Sequence, residues 1–169
     1  MTPDEKKEQE RCALEYRENL LIDIQNELSL KGNTSEEAFA DFVTQELEQS
    51  ELIDDYTPAF FDHCAGRGSL RYHINGYSFS AVDGFLNLFV TRFDGDEKPL
   101  KMGLPDIRSD VEAAINFIRD RNLLLEAASD ATDYLDCIEI INSHMGNQET
   151  SIRKFRIYLL TDGIVTDNA

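Results

Sequence analysis

A small mixed β-sheet with a central hairpin, flanked by helices and of the α/β or α+β class, is what this 169-residue chain predicts. Three observations lead there. Residues 70–93, LRYHINGYSFSAVDGFLNLFVTRF, hold two runs rich in aromatic and β-branched residues around Ala81-Val82-Asp83-Gly84, and Asp-Gly is a strong hairpin-turn signal. In the second run Phe85, Asn87, Phe89, Thr91 and Phe93 alternate with Leu86, Leu88 and Val90, so both faces are apolar and a strand covered on both sides is expected. Helical patterns then lead on to a further strand at 153–161, RKFRIYLLT, and a helical crossover of that kind makes the sheet mixed.

Composition narrows the functional classes. A chain of this length is one domain by default, and 41% hydrophobic residues suffice for a core. The formal net charge of −17 repels nucleic acid and anionic membranes, so binding to DNA or RNA is expected to be weak at most. Cys12, Cys64 and Cys137 are odd in number and form no C-x-x-C pair, which indicates neither a zinc site nor a disulfide framework. The opening MTPDEKKEQE has no apolar signal segment, and no run of about 18 apolar residues occurs. A cytoplasmic setting without membrane contact is the expectation.

Taken in order, Thr2, Pro3 and Glu5 begin a first helix with a T-x-x-E capping box. Its expected stripe is Leu14, Leu21 and Leu28, with Cys12, Ala13, Ile22 and Ile24 beside it, and Gly32-Asn33 ends it. That stripe packs on the body or, alternatively, on a second copy. Residues 1–33 are thus an N-terminal helix preceding a domain at 34–169. Thr34 and Glu37 make a second capping box, opening a helix with Ala38, Phe39, Phe42, Val43 and Leu47 inward. Glu36, Glu37, Asp41, Glu46 and Glu48 lie on its other sides, where one of them can lean toward the sheet.

Residues 51–69 read as a docked connector, because Pro58 argues against regular structure. Asp62-His63-Cys64 looks like a ligand cluster, but adjacent side chains seldom face one metal. Gly66-Arg67-Gly68 lacks the strand–loop–helix setting of a phosphate loop and reads as a turn. After the hairpin, a third helix is expected from Pro105 to Arg121 with Ile107, Val111, Ala114, Ile115 and Ile118 inward. Leu123, Leu124 and Leu125 follow as a buried corner. A fourth helix runs from Ser129 to Met145, with Ala131, Leu135, Ile138 and Ile141 inward, and Gly146-Asn147 stops it. A short strand near Lys98–Met102 is an option within the crossover.

The hairpin carries a family resemblance. Ile74-Asn75-Gly76-Tyr77, then Asp83-Gly84-Phe85-Leu86-Asn87-Leu88-Phe89-Val90 with Phe93 closing the strand, resembles the N-terminal region of the abortive-infection phage-resistance (AIPR) family. Glu37-Ala38-Phe39, Leu124 to Glu126, Tyr134-Leu135 and the run from Arg156 to Gly163 follow in the order of that family. The resemblance implies the amino-terminal part of a longer bacterial anti-phage protein with a restriction-endonuclease-like fold. Such a fold carries a PD-(D/E)XK site, in which two carboxylates hold Mg²⁺ and a lysine helps to position water and stabilise phosphate charge.

This sequence departs from that pattern. Asn75 stands where the first carboxylate is expected, Asn87, Thr91 and Arg92 occupy the second strand, and no E-x-K occurs there. The remaining candidates are Asp83, Glu37 and Glu46 as catalytic carboxylates, with Asp83 and Asn75 as ligands of a possible Mg²⁺. Asp83 sits in a turn, where Asp is favoured for backbone reasons. An incomplete metal site is therefore expected, and whether any catalysis survives stays open. Two other classes are open as well. One is an acidic module that binds other domains of the full-length protein, a phage or host protein, or a second copy. The other is an acidic decoy for a nucleic-acid-binding groove, disfavoured because Asp and Glu are spread over nearly every element.

Overall fold

The computed structural model describes residues 3–31, 34–65, 70–126, 132–146 and 151–166. Within them the chain runs α1 (Pro3–Lys31), α2 (Ser35–Gln49), β1 (Thr57–Ala65), β2 (Leu70–Ser80), β3 (Phe85–Arg92), β4 (Lys101–Met102), α3 (Leu104–Leu124), α4 (Asp133–His144), β5 (Lys154–Thr161) and β6 (Ile164–Val165). The main sheet has the order β1-β2-β3-β5. Its first three strands are antiparallel neighbours, and β5 lies parallel to β3 from Phe85↔Lys154 to Arg92↔Thr161. The mixed α/β architecture expected from the hairpin is thus the one observed. β4, within the region flagged for a short strand, pairs in parallel with β6, so 153–161 is not the last strand.

β3 has the two buried faces its sequence requires: Leu86, Leu88 and Phe89 are 0% exposed and Val90 is 1%. Leu86, Leu88 and Val90 join Ile74, Ala114, Phe117, Tyr134, Ile138 and Ile141 in a core between the sheet and α3 and α4. Phe89 faces the other way, toward Leu20, Ile24, Ala38 and Phe39 of α1 and α2. The hairpin closes where Gly84 N donates to Ser80 O at 2.8 Å, with Gly84 at φ 68. A side chain there would be strained and would also strike Ser151 O.

Several expectations are corrected. The connector at 51–69 contains β1; Pro58 is accommodated because β1 is an edge strand with a register shift between Pro58 and Phe61. In α1 the buried positions are Arg17, Leu20 and Ile24, whereas Leu14 is 45% exposed and Leu21 and Leu28 are half-buried. In α3 the inward set is Asp110, Ala113, Ala114, Phe117 and Leu124, and Ile115 is exposed. Leu124 alone of the leucine triplet is buried; Leu123 and Leu125 face outward. In both helices the inward face is set by a buried charged residue as well as by apolar periodicity. Thr2, Gly32-Asn33, Gly66-Arg67-Gly68, the start expected for α4 at Ser129, Ala131 and Asn147 lie outside the described residues.

Arg17 explains how α1 docks. Its Nε donates to Asp162 O at 2.9 Å, and its Nη2 reaches Asp162 Oδ2 at 2.7 Å and Asp96 O at 2.6 Å. The Asp162 carboxylate also accepts from Asp94 N at 3.0 Å and Gly95 N at 3.1 Å. One buried ion pair therefore ties α1, the turn after β3 and the end of β5. Removing one partner strands a buried charge, which costs about 3–5 kcal/mol. Arg17→Ala should lower the unfolding free energy by about that much in urea titrations. Leu88→Ala, which truncates a fully buried side chain in β3, should cost about 2–5 kcal/mol in the same assay.

Candidate functional site

β2 and β3 do not pair along their full lengths. Their ladder runs from Ser80↔Phe85 to Gly76↔Phe89 and stops, although β2 goes on pairing with β1 and β3 with β5. The two strands fork at Asn75, whose side chain takes over from the ladder: Asn75 Oδ1 accepts from Thr91 N at 2.7 Å. Gly76, next to it, packs so tightly on Tyr56 and Thr57 that a Cβ would lie 2.4 Å from the Tyr56 ring. Inside the fork stand Arg71, His73 and Asn75 from β2, Thr91 and Arg92 from β3, Glu36 from α2 and Asp110 from α3.

Glu36 Oε1 is the focus of one half. It lies 3.0 Å from Asn75 Nδ2, 2.5 Å from Thr91 Oγ1 and 2.8 Å from His73 Nε2. The single Thr91 hydroxyl proton goes to the carboxylate, the nearer and charged acceptor, rather than to Asn75 Oδ1 at 3.0 Å. Arg71 Nη2, which can only donate, is 3.2 Å from His73 Nδ1; that nitrogen therefore accepts, and the ring proton sits on Nε2 beside Glu36. The Nε2–H points off the line to the carboxylate, so this contact is electrostatic rather than a well-directed hydrogen bond. Burial raises the Glu36 carboxyl, but the adjacent His73 ring and the Thr91 and Asn75 donors outweigh it and hold it at about 2, below the ordinary 4.5.

The other half is an ion-pair cluster. Asp110, 1% exposed, is gripped by Arg92 through Nε at 2.6 Å and Nη2 at 3.0 Å, with Arg71 Nη1 at 3.5 Å. Arg71 also holds Asp62 of β1 at 2.9 and 3.2 Å. Both guanidinium pKa values are raised, that of Arg71 chiefly by Asp62 and that of Arg92 chiefly by Asp110. Asn116 Nδ2 of α3 donates to Arg71 O at 3.1 Å. Two arginines thus neutralise the fork from inside.

The carboxylates singled out by sequence go elsewhere. Asp83 lies in the exposed turn, bonded to Ser80 Oγ at 3.0 Å, at the far end of the hairpin from Asn75. Glu37 closes the capping box, accepting from Thr34 N at 3.0 Å and Thr34 Oγ1 at 2.6 Å. Glu46 accepts from the Tyr16 hydroxyl of α1, and burial followed by that contact pushes the Tyr16 pKa up to about 12. Only Asn75 is in the fork, and the α2 glutamate that reaches it is Glu36. Asn87, further along β3, donates to Ser78 Oγ at 2.8 Å. Asp62 of the Asp62-His63-Cys64 run serves Arg71, while His63 and Cys64 are exposed. Among the described residues, no three His, Cys, Asp or Glu side chains converge as a metal ligand set.

The abortive infection phage resistance protein N-terminal domain matches residues 39–169. The chain belongs to that family. The match takes in the whole sheet and every fork residue except Glu36, which lies just before it, as does α1. This AIPR chain is therefore a module of a phage-defence protein. No curated protein and no solved structure matches it. No described helix of the AIPR chain is long and apolar enough to cross a membrane.

The fork residues left unassigned by sequence were signalled in one respect. Arg71, His73 and Asn75 alternate with Leu70, Tyr72 and Ile74, placing one polar row on a strand that helices cover. Glu36 makes that row pH-sensitive. Its carboxyl is lower when folded than when unfolded, so its contribution is complete above about pH 4.5 and is lost as the pH falls through about 2. Urea titrations from pH 7 to pH 2 should show a decline over that window that is shallower in Glu36→Gln.

Proposed function

We propose that this AIPR domain is an endonuclease-like module with its metal site replaced by internal ion pairs, and that it serves phage defence by binding rather than by cutting. The observation that carries this reading is the Arg92–Asp110 clamp with Arg71 beside it. A catalytic divalent ion needs carboxylate oxygens that are not already neutralised, and nuclease chemistry wants a lysine or water-positioning group at the phosphate. Here the deepest carboxylate of the fork is occupied by two guanidiniums, and Glu36 Oε1 already meets two hydrogen-bond donors and the His73 ring. Asn75, the ligand expected on β2, spends its carbonyl oxygen on Thr91 N. These residues do not fit Mg²⁺, and no hydrolytic step follows from them.

The charge of the chain supports the same reading. At −17 it has few cations with which to release counterions from a nucleic acid. Arg71 and Arg92, which face the fork, are spent on Asp62 and Asp110. The partners in keeping with this surface are proteins: other domains of the defence protein, or a phage or host protein.

Two measurements test the proposal together. Incubated with labelled single- and double-stranded DNA and RNA in Mg²⁺ or Mn²⁺, the chain should leave all of them intact. Metal-dependent cutting that vanishes in Glu36→Gln would overturn it. Asp110→Asn should cost about 3–5 kcal/mol of stability, as breaking a buried ion pair does, by the same amount with and without added Mg²⁺.

A further inference from the structure

The two edges of the main sheet are built differently. β1 is interrupted by Pro58 and by the shift between Pro58 and Phe61, features that discourage pairing with another strand. β5 has neither. Its eight residues, KFRIYLLT, contain no proline or glycine and pair regularly with β3 throughout. No described strand lies along its outer side, so half of its backbone donors and acceptors face away from the sheet. Phe155, Ile157, Tyr158 and Leu159 pack on the two cores yet remain only half-buried.

Charge is polarised along this open edge. Its beginning carries Arg153, Lys154 and Arg156, a cationic cluster in a chain with 16 basic and 33 acidic residues. Arg153 and Lys154 are exposed, and Arg156 lies over the Phe85 ring, 3.9 Å from its centroid. Its end runs into Asp162, which holds the Asp94 and Gly95 amides and so gathers the exposed acids Asp94, Asp96 and Glu97 there.

We propose that β5 pairs antiparallel with β5 of a second copy, joining two sheets into one across a two-fold axis near Tyr158. Antiparallel pairing about such an axis sets the basic beginning of each strand beside the acidic end of the other, and a two-fold contact repeats that match. The axis stands perpendicular to the sheet, so α1 and α2 of both copies share one side. The Arg17-anchored turn at 94–97 and the Lys154, Arg156, Tyr158 row, whose Tyr158 packs with Phe89, both belong to that side. An edge-to-edge contact buries little area, which makes the dimer weak and concentration-dependent. The inference is independent of whether the fork cuts nucleic acid.

Sedimentation of the full chain tests it, at about 0.15 M salt, where repulsion between the two acidic bodies is screened beyond about 8 Å. Dimer should accumulate between about 1 and about 300 µM, spanning the range expected of a weak interface. Hydrogen exchange of the β5 amides should slow over the same range. The double reversal Arg153→Glu with Lys154→Glu should weaken the dimer about tenfold, since several exposed ion pairs are inverted. Adding Asp96→Lys and Glu97→Lys to that variant should restore most of the loss. A monomer at every concentration, a dimer that leaves β5 exchange unchanged, or an affinity insensitive to the reversal would overturn the proposal. The reversed residues are on the surface, and circular dichroism of each variant separates a lost interface from a lost fold.

Discussion

A strand without a solvent face governs this structure. β3 is apolar on both sides, so layers must form on both: α3 and α4 across Leu86, Leu88 and Val90, and α1 and α2 across Phe89. The parallel connection to β5 follows from the same need. A parallel neighbour requires a crossover, and the crossover supplies the helices that cover one face. α1 and α2 cover the other, and α1 is held by the Arg17–Asp162 ion pair, which reaches across 145 positions of sequence.

The fork between β2 and β3 is the polar counterpart of that constraint. A sheet that opens inside a covered core exposes backbone groups to a medium without water, and each must find a partner. The Asn75 carboxamide replaces the missing ladder bond to Thr91, and Asn116 satisfies Arg71 O. The charged side chains are likewise matched within the fork: Asp110 by Arg92 and Arg71, and Glu36 by Asn75, Thr91 and His73. In this AIPR domain Arg92 and Arg71 meet the buried Asp110 carboxylate, and the polar fork stabilises its own fold.

Two acidic neighbours in α2 show how narrow the margin is. Glu36 and Glu37 differ by one position, about 100° around a helix. The capping box consumes Glu37 and thereby orients the first turn so that Glu36 points to the sheet. Either glutamate has the chemistry of a metal ligand; the geometry of the helix start decides which one enters the fork.

The local elements were legible in the sequence because their signals are local. The Asp83-Gly84 turn, the alternation along β3, the Thr34–Glu37 box and the helical spans of α2 and α3 each depend on residues a few positions apart. β1 was not legible, since Pro58 is tolerated only because the strand lies at an edge, which is a property of the sheet. The inward faces of α1 and α3 differ by a few positions from those that apolar spacing predicts, for a related reason. Arg17 and Asp110 look like surface residues until Asp162 and Arg92 are brought to them. The sequence by itself determined the hairpin, the doubly covered strand and the family. Which carboxylates meet, and that arginines meet them first, was decided only by tertiary structure, because ion pairing depends on distances between segments that share no sequence neighbourhood.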